Sequence, residues 1–548
     1  MTGSGGWPTS LFLTPDRKPF FAGTYFPPES GRGITGFYDL LMIVAENWQT
    51  NREELLRAAD RITGVLCNRQ QQSGSAVAGD LPQTAFTQFV NMYDRENGGF
   101  GNAPKFPTPH NLLFLMLYGR QKNDSRSIDM ALHTLTQMRK GGIYDHVGGG
   151  FSRYSTDARF LVPHFEKMLY DNALLILAYC VAYRQTKNEL FLDTAERTAE
   201  YILREMTDSE GGFYSAQDAD SGGGEGLYYV FDYIEILQVL GEEKGKAFCS
   251  YFGVKPGGNF EGKNILNCLN KEEEAGAFRE ESERLYIYRK SRMHLHTDDK
   301  ILTSWNSLMI AALVFLYRSD GNKDYLEAAL KAEKFIRQKL CNDTRVFVSI
   351  RDGKVSGDGF LDDYAFYSAA LLCLYSTLGD DGYLTRAKQF CMEAIEQFRE
   401  ASGGFTLAGK YNEKLLLNEK ETYDGAVPSG NSVMAYLLFR LSQLDPGGDW
   451  KEYAEEQKAF LSRESAVYPA GHSMFLMALL TESSPPPKIV AVCGAGDNVS
   501  DILRKFPLYA DITVLREPCE GYSLLNSKTT YYVCENNTCR PPSNSLSD

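Results

Sequence analysis

Carboxylates, histidines and aromatic side chains gather in a few short stretches of this chain, a grouping suited to proton transfer on a hydroxyl-rich molecule. Residues 144–172 carry Asp145, His146, Arg153, Tyr154, Asp157, His164, Glu166 and Asp171. Further along come Asp218, Asp220 and Glu225, then Asp298, Asp299, Trp305 and Asn306. Asp362, Asp363 and Tyr364 follow, and the last group is Asp424, Ser429 and Asn431. Sugar chemistry needs an acid of raised pKa beside an ionised base or nucleophile, or a histidine pair for epimerisation. The sequence assigns acid and base functions to Glu166 with Asp363 or Asp424, and proton orientation or shuttling to His146 and His164. Arg153, Tyr154, Trp305 and Asn431 are expected to hold the ligand, together with Asp145, Asp171, Asp218, Asp220, Asp299, Asn306 and Tyr364. Each group also has a plainer reading. An aspartate at a helix start, Asp362 above all, is an N-cap by default. Asp218 and Asp220 suit a turn or a calcium-type loop, and His146 and His164 suit buried hydrogen-bonded pairs. Zincin, Cys-x-x-Cys and serine-esterase patterns are missing, so no metal and no cofactor are expected.

These groups sit at the starts of helices that are apolar almost all round: Asn111–Tyr118, Phe165–Tyr183, Trp305–Tyr317, Asp362–Tyr375, Ser432–Leu441 and His472–Leu480. A helix without a polar face must be covered on every side. Each is preceded by a helix with one apolar stripe and one charged face, near 82–94, 125–140, 189–206, 323–339, 382–399 and 449–465. The fold class expected is mainly α: an α/α toroid of six inner and six outer helices. A glycine pair followed by a hydrophobe recurs after outer helices, as in Gly98-Gly99-Phe100, Gly211-Gly212-Phe213 and Gly403-Gly404-Phe405. Parallel inner helices bring all outer-to-inner loops to one rim, where the helix N-termini favour anionic or hydroxyl-rich ligands. The connection over 211–300 is too long for a loop; it reads as a lid with strands at 228–231, 264–266 and 285–288. Ahead of the barrel, a hairpin over residues 10–25 precedes one helix from Gly36 to Cys67. The expected domains are 1–67, a linker 68–81, the barrel 82–484 and a small α/β region 485–548.

Composition narrows the partners. The 548 residues carry a net charge of −14 with 43% hydrophobic residues, which is globular and acidic. Nucleic acid and anionic membranes require clustered Lys and Arg, so neither is expected. No apolar run approaches the roughly 20 residues that span a bilayer. The first residues lack a secretory pattern, which points to an intracellular, cytoplasmic protein. Eleven scattered cysteines fit reduced, packed thiols. Cys534 and Cys539 form either a local disulfide or free thiols. The expected partner is a small hydrophilic ligand, a sugar.

Several long motifs resemble one family. Gly5-Gly6-Trp7-Pro8 and Phe21-Ala22-Gly23-Thr24-Tyr25-Phe26-Pro27-Pro28 are similar to the second half of the thioredoxin-like domain in the family of spermatogenesis-associated protein 20. Ala103-Pro104-Lys105-Phe106-Pro107, the stretches 148–154 and 163–172, and Asp424-Gly425-Ala426-Val427-Pro428-Ser429-Gly430-Asn431 resemble that family's barrel. The resemblance implies a six-hairpin glycosidase-type barrel like that of the N-acylglucosamine 2-epimerases, and from it a glycoside hydrolase or sugar epimerase. It also implies that Pro8 matches a cis-proline, and that this form is shortened and lacks the family's cysteine motif. A second reading follows, in which the barrel is a non-catalytic or redox-linked binding scaffold, tied through the family's name to spermatogenesis.

Overall fold

The computed structural model describes residues 6, 8–31, 33–69, 79–272, 274–506, 510–535 and 538–545. Trp7, its bond to Pro8 and linker residues 70–78 lie outside the described residues. Two compact units are formed, one by Met1–Ala76 with Glu413–Glu419, the other by Val77–Asn412 with Lys420–Asp548.

In the smaller unit, strands Ser10–Leu13 and Pro19–Gly23 pair antiparallel. Helices α1 (Phe37–Thr50) and α2 (Arg52–Arg69) follow, where the sequence suggested one. The helix breaks at Asn51, whose N–H still bonds the Asn47 carbonyl but whose backbone leaves the helical region. Asparagine tolerates such a junction, and Glu53 and Glu54 then favour a new N-terminus. Phe20 stacks on Trp48 with ring centroids 6.2 Å apart. Leu11, Tyr25, Tyr38 and Met42 remain exposed.

The larger unit alternates outer and inner helices. In chain order they are α3 (Leu81–Met92, outer), α4 (Pro109–Lys122, inner), α5 (Ser125–Lys140, outer), α6 (Leu169–Thr186, inner) and α7 (Glu189–Glu205, outer). An insertion then supplies α8 (Tyr233–Leu240), α9 (Glu242–Tyr251) and α10 (Arg279–Arg292). The ring resumes with α11 (Thr303–Asp320, inner), α12 (Lys323–Phe335, outer), α13 (Leu361–Leu378, inner) and α14 (Asp381–Phe398, outer). It ends with α15 (Gly430–Leu444, inner), α16 (Trp450–Glu464, outer) and α17 (Ser473–Ser483, inner). Helix α4 packs on α6, α6 on α11, α11 on α13, α13 on α15, α15 on α17, and α17 on α4, so the inner ring closes. The outer helices α3, α5, α7, α12 and α14 start on their own caps: Asp80, Asp124, Asn188, Asn322 and Asp380 each accept a first-turn N–H.

In the insertion, Leu285-Tyr286-Ile287-Tyr288 is helical, not a strand. Ser282, Leu285, Tyr286 and Arg289 are its buried face, a helical spacing that packing rewards over β-propensity. Glu280 and Glu281 open α10, and Arg289, Lys290 and Arg292 close it, as the helix dipole favours. Nor do 228–231 and 264–266 form ladders; only an isolated bridge links Phe231 to Asn264. At the C-terminal end, strand Lys488–Val492 pairs parallel with Asp511–Leu515 and antiparallel with Thr530–Glu535, beside the short helix α18 (Val499–Leu503). Cys534 and Cys539 are disulfide-bonded. No helix among the described residues is long and apolar enough to cross a membrane.

Candidate functional site at the barrel mouth

The inner faces of the ring enclose a bore. On α6 it is lined by Leu174, Leu177 and Val181, on α11 by Ser307, Ala311 and Phe315, on α13 by Phe366, Ala369 and Cys373, and on α4 by His110, Leu113 and Leu117. Extending these stripes one turn toward the helix N-termini brings Tyr170 and Asp171, Ser304, and Asp362 to the mouth. Short sheets bind the rim loops together: Lys167–Met168, Ala216–Gln217 and Thr297–Asp298 form one, and Ile301–Leu302 pairs with Arg345–Arg351.

Carboxylates tie neighbouring inner helices at their starts. Asp363 on α13 accepts from Ser304 N on α11 (3.1 Å) and from Phe360 N (2.9 Å). Asp424 accepts from Ser429 N (2.9 Å) and from Met474 N at the head of α17 (2.7 Å). Burial pushes the pKa of each up to about 6, with those hydrogen bonds pulling the other way. Asp362 lies against the backbone of Gly430, where an added Cβ would come within 2.4 Å of its Oδ1. Burial, then the nearby Asp363 and Glu421, push Asp362 up to about 7.

Asparagines make a second repeated device. Asn306 Oδ1 accepts from Phe213 N (2.7 Å), and its Nδ2 donates to the Phe213 and Leu302 carbonyls (2.9 Å each). Asn431 does the same to Phe405, at 2.9 and 2.8 Å, and Asn172 to Phe151, at 2.7 and 3.0 Å. Each clamps the hydrophobe that follows a glycine-rich turn, so Asn306 and Asn431 are consumed in holding the returning loop. They are not free to hold a ligand.

The other candidates divide. Asp145 is buried and binds Lys167 (2.9 Å) and Arg289 (2.7 Å); burial opposes its charge, but the two cations outweigh that and hold it well below the carboxylate range. His146 is buried, bonded to Arg139 (3.0 Å) and to the Gly141 carbonyl (3.1 Å), and burial beside Arg139 keeps it neutral. The Tyr364 hydroxyl is buried and accepts from Val346 N (3.1 Å). Asp299 pairs with Arg351 (2.6 Å). Asp218 and Asp220 are exposed at a tight turn. These six residues serve the framework or the surface.

What remains together is a compact polar group. Arg153 Nη1 donates to Glu166 (2.9 Å). His164 contacts Glu225 (2.6 Å) and stacks on Tyr154 with ring centroids 5.0 Å apart. Tyr170 meets Trp305 edge-on at 4.8 Å. Asp171 is buried, its Oδ2 has no hydrogen-bond partner, and burial raises its pKa well above the usual range against the pull of Arg153. Apart from this group, His110 is buried on α4 with Nε2 3.2 Å from the Asp424 carbonyl and Nδ1 unpartnered, and burial lowers it to about 4. Sequence reasoning left out His110, which sits in an apolar run, and treated Asp362 as a cap; the helical phase set by the bore stripe is the signal that brings both in.

A closed ring of paired helices with a carboxylate-rich mouth defines the α/α toroid class. A solved sugar epimerase from a ruminal bacterium shares the fold, with TM-score 0.51 and 14% identity over 74% of this chain and 97% of that one. Residues 1–67 match the thioredoxin-like family model Thioredox_DsbH, described as a protein of unknown function, DUF255. Spermatogenesis-associated protein 20 of Homo sapiens is 32% identical over 627 residues, spanning 98% of this chain and 78% of that protein. The Rattus norvegicus protein is 34% identical, spanning 89% and 69%. The chain belongs to the spermatogenesis-associated protein 20 family.

Proposed function

We propose that the barrel mouth binds a small hydroxyl-rich ligand, a sugar, and carries out acid–base chemistry of the glycoside hydrolase or sugar epimerase kind. The observation that carries this reading is Asp171, a buried carboxyl with an unpartnered Oδ2 in the first turn of an inner helix. Burial raises its pKa well above the usual carboxylate range and so favours the protonated form, which donates a hydrogen bond to a ligand hydroxyl. Asp362, near 7, is poised to give or take a proton. Glu166 with Arg153 and His164 supplies the carboxylate and donors on the same rim, and Tyr170 with Trp305 offers an aromatic corner for a sugar face. The acid–base assignment thus moves from Asp363 and Asp424, whose oxygens hold helix starts, to Asp171 and Asp362. The solved sugar epimerase of like fold agrees with this reading, although fold alone does not give activity.

The test is a thermal-shift screen against a sugar library, repeated with Asp171→Asn and Asp362→Asn. A stabilising sugar whose affinity falls by roughly tenfold or more in both variants supports the reading. Unchanged affinity in both removes it. One observation favours a second reading, a redox-linked or non-catalytic scaffold: the match of residues 1–67 to a thioredoxin-like family. On that reading the barrel binds without turnover, and any tie to spermatogenesis runs through a partner. A sugar bound without chemical change over long incubation favours it.

A further inference from the structure

The opposite end of the bore holds two arginines, Arg184 and Arg318, that form no ion pair with a carboxylate among the described residues. The cavity along the barrel axis has a volume of about 680 Å³, within the range of small-molecule sites. Its middle stretch is walled mainly by apolar residues of the inner helices, such as Leu117, Leu177, Ala311, Phe315 and Phe366, while the end at the helix C-termini also gathers Arg120, Arg440, Lys505, Asp511 and Glu535. At its base stand Arg184 on α6 and Arg318 on α11, each near the C-terminal end of its helix.

Arg318 is 3% exposed. Its Nε and Nη2 have no hydrogen-bond partner, and no carboxylate among the described residues forms an ion pair with it. Arg184 is satisfied only by carbonyls: Nη1 donates to the Arg318 backbone oxygen (3.1 Å) and Nη2 to that of Phe506. Of the two acids that line the cavity, Asp511 is already paired with Arg440 (2.8 Å) and Glu535 with Arg540 (3.3 Å). Cys373 and Tyr436, which also face Arg318, are neutral groups whose own ionisation burial suppresses. Burial and the like charge of Arg184 lower the Arg318 pKa to about 10, so the guanidinium still keeps its proton at neutral pH. The C-terminal ends of α6 and α11 offset part of this charge, but two buried guanidinium N–H groups without an acceptor are still costly, and an oxyanion would satisfy them.

We infer that the bore is a binding site for an anionic amphiphile, with its single oxyanion head on Arg318 and Arg184 and its apolar tail lying along the barrel axis toward His110. The guanidinium fork matches a carboxylate or phosphate bidentately. From Arg318 back to Ser307 the helix rises roughly 16 Å, room for about a dozen methylenes of an extended chain. The wall offers that tail an apolar surface with few polar interruptions. This site uses residues at the opposite helix ends from the mouth and stands independently of the sugar reading.

The experiment uses the full chain, stripped of bound lipid, and a fluorescent fatty acid displaced by defined competitors. Palmitate should displace the probe with one-to-one stoichiometry, and hexadecanol, its neutral counterpart, should bind about tenfold or more weakly. Acetate and inorganic phosphate, which lack the tail, should not compete. Lysophosphatidate separates the two head groups: tighter binding than palmitate assigns a phosphate, weaker binding a carboxylate. Arg318→Met should abolish the preference for palmitate over hexadecanol while leaving hexadecanol binding in place. Equal binding of palmitate and hexadecanol to the unaltered protein, or an undiminished preference in Arg318→Met, overturns the inference. The first comparison needs no variant, so a folding failure of Arg318→Met leaves the test intact.

Discussion

Replacing Asn306 by alanine should cost the barrel stability without touching a ligand site. The amide makes three buried hydrogen bonds, one from Phe213 N and two to the Phe213 and Leu302 carbonyls. Phe213 is fully buried, so water cannot replace what is lost. At about 1 kcal/mol per bond, and more for a stranded buried N–H, the substitution should cost about 3 kcal/mol. That is a large share of the 5–15 kcal/mol typical of a domain. Hydrogen exchange reads it locally: protection across residues 207–215 should fall about a hundredfold, since each 1.4 kcal/mol is tenfold. Asn306→Asp should be worse at neutral pH, because a carboxylate would face two carbonyls. Its pKa is then raised in the folded state above the unfolded value, so the penalty is full at high pH and is relieved as pH falls through the folded pKa. Protection within threefold of the unaltered protein in Asn306→Ala would falsify the clamp, and the residue would return to the list of ligand holders.

Three further outcomes follow from the same geometry. Asp145→Asn strands Lys167 and Arg289, and should cost about 3–5 kcal/mol at neutral pH; because Asp145 is held below its unfolded value, its contribution is present above pH ~4 and is lost on acidification, so the acid limb of a stability–pH curve should flatten in the variant. Gly430→Ala forces a Cβ to within 2.4 Å of Asp362 Oδ1 and should cost about 1–3 kcal/mol while abolishing any sugar-induced shift; Gly447→Ala, with nothing within 4 Å, is the silent control, and equal behaviour of the two sinks the argument. Exposed Leu11, Tyr25, Tyr38 and Met42 make the first unit the expected site of early proteolysis, and with Cys67 the first cysteine in the chain, insulin reduction should not exceed that of Cys67→Ser; a protease-resistant first 69 residues, or turnover well above that control, contradicts these expectations.

The toroid was legible because its inner helices lack a polar face. Helix α6 buries residues all around its circumference, from Leu169 to Ala182, and six such helices alternating with one-faced helices fit an inner ring wrapped by an outer one. The misreadings occur where local propensity and packing disagree. The aromatic run 285–288 has strand composition, yet Leu285 and Arg289 share one buried helix face. The site was less legible than the fold, since a polar residue in the first turn of an inner helix looks the same in sequence whether it faces the bore or a returning loop. Asp171 and Asn172 are adjacent, and about 100° of helical rotation separates a mouth residue from a clamp. Asn306 and Asn431 fall on the clamp side for the same reason.

The staples separate the carboxylates that hold the ring from those left for chemistry at the mouth. Six parallel inner helices direct their positive ends at one rim, and mutual repulsion there has to be offset. Asp363 bridges α13 to α11, Asp362 lies on the start of α15, and Asp424 holds α15 and α17. Between α17 and α4 the link is neutral, Ser473 Oγ donating to Asn111 Oδ1 at 2.6 Å. The carboxylates bonded at two helix starts, Asp363 and Asp424, therefore lie between α11 and α17, and neither reaches α4 or α6. On α4 and α6 stand His110 and Asp171, each buried with a side-chain atom left unpartnered. A carboxylate engaged by two helix starts, as Asp363 and Asp424 are, cannot exchange protons with a ligand without loosening the ring, whereas Asp171, and Asp362 with a single helix start against it, can do so at less cost to the framework.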